Sequence, residues 1–165
     1  MILAILNLLF VSVLLWVPLF FYQRKSRRMV LFCQRMARSE YQRKRYGYML
    51  LAFMLMFHAT CPELYGCHSG VYASTALAVF LVSPKWTACI LEGLRKSSVA
   101  MAILGFVAVA NVFATGMYTL AVTLGYILLA AVFYPTKEME EYVFDEPQYG
   151  SYEELEKETV KHYFA

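Results

Sequence analysis

Apolar residues run in five long blocks along the chain, and the polar residues collect between them. The first block is Ile2 to Tyr22, whose only strongly polar members are Asn7 and Ser12. The second and third, about Tyr46 to Cys61 and Leu64 to Ser83, are separated by Pro62 and Glu63. The fourth and fifth, about Ser98 to Thr115 and Met117 to Tyr134, are joined by Gly116 and its neighbours. A helix that crosses the ~30 Å hydrocarbon core needs roughly 20 mainly apolar residues, so each block predicts a spanning helix. The expected fold class is an all-α integral membrane protein with about five transmembrane helices. A first helix covers residues 1–22, and two helical hairpins cover 46–83 and 98–134.

Local signals refine this outline. Pro18 is expected to kink the first helix or end its regular part, and Trp16 and Tyr22 suit a membrane interface. Proline cannot continue the helical ladder and a carboxylate is costly in hydrocarbon, so Pro62 and Glu63 are expected at the tip of the first hairpin. The alternative, one kinked helix over 46–83, would run nearly twice the length that the core requires. Residues 84–97, PKWTACILEGLRKS, mix Trp86, Ile90, Leu91 and Leu94 with Lys85, Glu92, Arg95 and Lys96, the pattern of a short helix lying in the interface. In residues 23–45, Met29, Phe32, Cys33, Met36 and Ala37 recur at helical spacing and predict a helix with one apolar face. In the tail, residues 135–165, Ser151 and Glu154 form a capping box for a helix through about Tyr163.

Charge sets the orientation. Residues 23–45 carry nine Lys or Arg and one Glu, a net of +8, and residues 135–165 carry nine Asp or Glu and three Lys, a net of −6. Basic residues in short loops stay in the cytoplasm. The 23–45 loop therefore lies inside, and after two crossings Lys85, Arg95 and Lys96 fall on the same side. The N-terminus is then outside, the C-terminus is cytoplasmic, and the outer surface is limited to Cys61–Gly70 and the Gly116 turn. Residues 1–22 hold no charge, so they are expected to be a retained helix rather than a cleaved leader.

Candidate chemistry is sparse. His58, Cys61, Cys67 and His68 fall within eleven residues around the predicted outer turn. In an oxidising compartment Cys61 and Cys67 are disulfide candidates. The same four residues offer weaker ligands for zinc or copper, since their spacing matches no standard metal pattern, and ordinary packing is the remaining reading. Met49, Met54 and Met56 are read as packing side chains rather than a copper path. No C-x-x-C, G-x-S-x-G, H-E-x-x-H, phosphate-binding loop or dinucleotide fingerprint occurs, so no enzyme activity and no cofactor or metal is assigned. No predicted span has an ionisable group at its middle, which argues against proton relays and ion-coupled carriers. Asn111 is expected to bond a neighbouring helix.

Two features suggest assembly. Small residues recur at packing spacing: Gly70, Ser74 and Ala78; Ala110 and Ala114; Ala121 and Gly125. Arg24, Lys25, Arg27, Arg28, Arg35, Arg38, Arg43, Lys44 and Arg45 suit the anionic inner leaflet, or the acidic tail of this chain or a neighbour; nucleic acid is disfavoured because nothing else resembles a nucleic-acid module. The expected function is a non-catalytic multi-pass subunit that assembles with itself or with partner membrane proteins and presents basic and acidic segments to the cytoplasm. One alternative is a homo-oligomeric pore or membrane-perturbing effector lined by Asn111, Ser74 and Thr115 or Thr119. The other is a redox or metal-binding protein built on His58, Cys61, Cys67 and His68.

Overall fold

The computed structural model describes residues 2–21, 27–65, 68–145, 157 and 160–161, which form helices and no strand. The elements are α1 (Ile2–Phe21), α2 (Arg27–Arg38), α3 (Glu40–Tyr65), α4 (His68–Leu81), α5 (Pro84–Lys96), α6 (Ser98–Phe113), α7 (Tyr118–Phe133) and α8 (Lys137–Asp145).

α7 is the axis of the bundle. Its sequence, YTLAVTLGYILLAAVF, has no polar face to present to water. A helix that is apolar all round belongs inside a protein or a membrane. Its Ala, Thr and Gly positions let neighbours approach closely, and α1, α3, α4, α5 and α6 all pack on it. Thr119, Ala121, Val122 and Ala131 are consequently fully enclosed.

The stretch Tyr118–Glu141, running from α7 into α8, is the one described segment long and apolar enough to cross a membrane by itself. α4 and α5 pass the same test only when taken together, and they are bent by 105° at Ser83. The apolar helix α6 and the Leu9–Pro18 part of α1 are shorter.

Local sequence explains the breaks. Ser39 separates α2 from α3, and its hydroxyl accepts from Gln42 N at 3.4 Å, an N-cap for α3. Pro84 opens α5, where its missing N–H is harmless, and the Thr87 hydroxyl donates to Leu81 O at 2.8 Å, satisfying a carbonyl at the end of α4. Ser97 caps α6 by accepting from Ala100 N at 3.2 Å. Gly116, at φ +78°, makes the α6–α7 turn in a conformation that side chains disfavour.

One boundary differs from the sequence expectation. α3 does not stop at Pro62 but runs through it to Tyr65, immediately before Gly66. A proline this close to a helix end forfeits one ladder bond, whereas glycine is the residue that commonly ends helices. α3 therefore ends three residues beyond Pro62. The helix expected around Cys33 is α2, and the remainder of the basic segment, from Glu40, opens α3. The Ser151–Glu154 capping box lies outside the described residues.

Both chain reversals, between α3 and α4 and between α6 and α7, meet at one end of the bundle. There Gly70 N donates to Gly116 O at 2.7 Å, and Ser69 Oγ reaches the same carbonyl at 3.2 Å. A Cβ on Gly70 would lie 2.5 Å from Gly116 O and 2.9 Å from Met117 Cα. At Gly125 a Cβ would instead meet the mobile end of Leu14, with Cδ2 2.8 Å away. Gly70→Ala is therefore expected to destabilise by about 1–3 kcal/mol or more, the overpacking range, and Gly125→Ala by less. Thermal unfolding in detergent checks the order; equal losses would show that α4 does not press on the turn.

Candidate functional site

At the opposite end, α7 stops inside the protein rather than in water. The last four carbonyls of a helix have no intrahelical donor. In α7 each finds one elsewhere. Tyr46 Oη of α3 donates to Ala130 O at 3.1 Å, Tyr134 N to Ala131 O at 3.2 Å, Arg95 Nη1 of α5 to Val132 O, and Cys33 Sγ of α2 to Phe133 O at 3.4 Å. The guanidinium also meets the negative end of the helix dipole. Burial pushes the Cys33 thiol above its ordinary range, with Arg95 opposing the shift.

A second tier locks α8 beneath this cap. Val30, Cys33 and Ala37 on the inner face of α2 pack against Met139 of α8. Arg43 Nη1 donates to Ala37 O at 2.5 Å, closing the end of α2, while its Nε lies 3.5 Å from a Glu140 oxygen. Lys137 and Glu92 stand 3.8 Å apart, linking α8 to α5. The acidic segment thus docks on the basic one within a single chain. α2 turns its apolar face to α8, because Met139 offers it a buried apolar surface.

Between α3, the α4–α5 elbow and α8 lies an open cavity of about 250 Å³. Leu81, Thr87 and Tyr134 form its buried floor, and Glu40, Lys44, Lys85, Glu92 and Glu140 stand around it with Arg43. Charged side chains of three elements converge there on a concave surface.

The residues singled out from sequence scatter. Gly70, Ser74, Ala78, Ala121 and Gly125 are buried within the bundle, whereas Ala110 and Ala114 are exposed on and just beyond α6. His58 lies within α3, deeper than expected because the helix continues past it. Its Nδ1 faces Met54 O at 2.6 Å and its Nε2 faces the fully buried Ser74 Oγ at 2.5 Å, so both ring nitrogens are engaged inside the protein. Among the described residues no three His, Cys, Asp or Glu side chains come together to hold a metal. Cys67 and the side chains of Cys61 and His68 lie outside the described residues.

Ser74 and Thr119, candidate pore-lining groups, are enclosed within the protomer. Asn111 Nδ2 donates to Val107 O of its own helix at 2.8 Å, and among the described residues it bonds no neighbouring helix. Of the basic residues, Arg28, Arg35 and Arg38 are exposed on α2 and Arg27 begins that helix, while Arg24 and Lys25 lie outside the described residues. Lys44 pairs with Glu40 at 2.7 Å, which raises the lysine and lowers the carboxyl from their ordinary values, and the Arg45 guanidinium sits 5.5 Å over the Tyr41 ring. Arg95 and Tyr46 were not legible as capping groups, because nothing local marks a donor for a carbonyl 37 or 84 residues away.

In a Cys61→Ser, Cys67→Ser background, maleimide is expected to label exposed Cys89 and to spare buried Cys33 until the protein is denatured. Equal labelling rates would show that α2 lifts from α7. Arg43→Gln is expected to weaken the α2–α8 contact by about 1–3 kcal/mol, the cost of losing charge-assisted hydrogen bonds. Faster limited proteolysis at Lys137 would report it, and an unchanged digest would show that Met139 alone holds α8. Comparisons of the chain with protein-family models, curated proteins and solved structures give no match.

Proposed function

We propose that the chain is a multi-pass integral membrane protein, with its N-terminus outside and its C-terminus cytoplasmic. In this reading it acts as a non-catalytic subunit that joins other membrane helices and holds a charged platform at the cytoplasmic face. The observation that carries the reading is the separation of charge from apolar surface. α2, the start of α3, α5 and α8 hold every charged side chain described between residues 28 and 141 and gather at the end of the bundle where α7 stops. Along its flanks the bundle exposes Val13 and Trp16 of α1, Phe53 and Met56 of α3, Tyr72 and Phe80 of α4, and Ile103 and Phe106 of α6. Large apolar side chains on four different helices form a belt too extensive for one docking patch on a water-soluble protein, and it suits acyl chains.

Assembly is proposed through α6. Of the three small-residue stripes, those on α4 and α7 are used inside the protomer. Ala110 remains exposed between Phe106 and Phe113, which are 76% and 80% exposed, and Val99 and Ile103 extend the same ridge. Such a ridge lets a partner helix approach at Ala110 and interlock with the rings beside it.

Two measurements test the reading. Acceptor sites for glycosylation placed at Gly66 and at Gly116 are expected to be modified, and sites placed at Ser39 and after Ala165 are not; modification at both ends would reject the orientation. Gentle extraction from native membranes is expected to yield a complex larger than one 19.0 kDa chain. Ala110→Trp should reduce that complex about tenfold while leaving insertion intact, as expected when overpacking removes about 1.4 kcal/mol of association. A monomer in the wild type would sink the subunit reading.

A further inference from the structure

We propose that the cavity at the charged end binds the headgroup of an aminophospholipid, a phosphodiester carrying a primary amine, from the cytoplasmic leaflet. This rests on the membrane placement proposed above. The first argument is position. The cavity opens beside the α4–α5 elbow, where the exposed apolar residues Val79, Phe80 and Val82 give way to Lys85 within a few residues. That is the level of a lipid headgroup in a bilayer whose acyl region covers the belt.

The second argument is size and shape. A volume of about 250 Å³ falls below the range for drug-sized ligands and cannot enclose a whole lipid. Tyr48 and Val82, 51% and 54% exposed at its rim, offer acyl chains a surface to lie along outside it.

Charge is the third argument. Three cations, Arg43, Lys44 and Lys85, and three carboxylates, Glu40, Glu92 and Glu140, border the cavity, so it is locally balanced. Arg43 is engaged with Glu140, Lys44 with Glu40, and Glu92 with Lys137 from outside the cavity wall. Lys85 makes no ion pair among the described residues and is exposed at the mouth, where it can meet a phosphate. A net anion would upset this balance, whereas a zwitterion keeps it, with its phosphate on Lys85 and its ammonium beside Glu140 and Glu92, whose ion pairs each use one of the two carboxylate oxygens. Choline lacks the N–H donors that a carboxylate needs for a charge-assisted hydrogen bond, so the site separates ethanolamine from choline headgroups.

The experiment uses the full chain in phosphatidylcholine nanodiscs doped with phosphatidylethanolamine or phosphatidylglycerol, with retained lipid read by native mass spectrometry. Phosphatidylethanolamine is expected to stay bound in preference to both others. Lys85→Gln should cut that retention about tenfold, the size of one charge-assisted hydrogen bond, while Lys85→Arg and Lys96→Gln keep it. Preference for phosphatidylglycerol, or equal loss in Lys96→Gln, would overturn the site in favour of a diffuse basic surface. Displacement of the lipid by inorganic phosphate alone would overturn the lipid as occupant. Flotation of the same protein with vesicles in alkaline carbonate separates the two proposals: failure to float rejects the membrane placement itself, and floating without headgroup selectivity rejects only the site.

Discussion

A helix that ends in a dry interior must have its last carbonyls satisfied by groups brought from elsewhere, and the end of α7 imposes this requirement on the rest of the chain. An unpaired buried carbonyl costs about 1–3 kcal/mol, so four of them would erase much of the stability of a domain this size. Tyr46, Arg95, Cys33 and the backbone of Tyr134 meet the need from α3, α5, α2 and the turn after α7. One helix end therefore fixes where three other helices sit. α8 is held in turn by Arg43, which pairs with Glu140, and by the inner face of α2, which packs on Met139.

The two ends of the bundle differ in chemistry because they solve different problems. At the turn end, close backbone approach between Gly70 and Gly116 lets one carbonyl of the α6–α7 turn accept from both Ser69 and Gly70 of α4, two neutral donors. At the other end, long basic and aromatic side chains reach inward, and their charges are balanced by carboxylates on α3, α5 and α8. The cavity is a by-product of this arrangement. α5 turns away from α4 by 105°, and the wedge left between them, α3 and α8 is lined by whatever polar groups the cap did not use.

The internal pairing of charge also changes what the basic segment can do. Arg43 and Lys44 are engaged with Glu140 and Glu40, and among the described residues Arg28, Arg35 and Arg38 of α2 and Arg45 of α3 are exposed as well. The small-residue stripes divide in the same way. Those on α4 and α7 are consumed by packing within the chain, and only the Ala110 ridge faces outward.

Several features were determined by the sequence alone. The helical class, the turn at Gly116, the amphipathic helix around Cys33 and the helix opening at Pro84 all follow from periodicity, capping and backbone preference, which act over a few residues. The end of α3 was placed too early because Pro62 is a strong local stop and its single lost bond was tolerable near the helix end. Only the tertiary structure decided which stripes are buried, that His58 closes on Ser74, that Asn111 bonds its own helix, and that Arg95, written like a wet interfacial charge, caps α7. These depend on which surfaces meet across tens of residues, and residue type alone does not encode the partner.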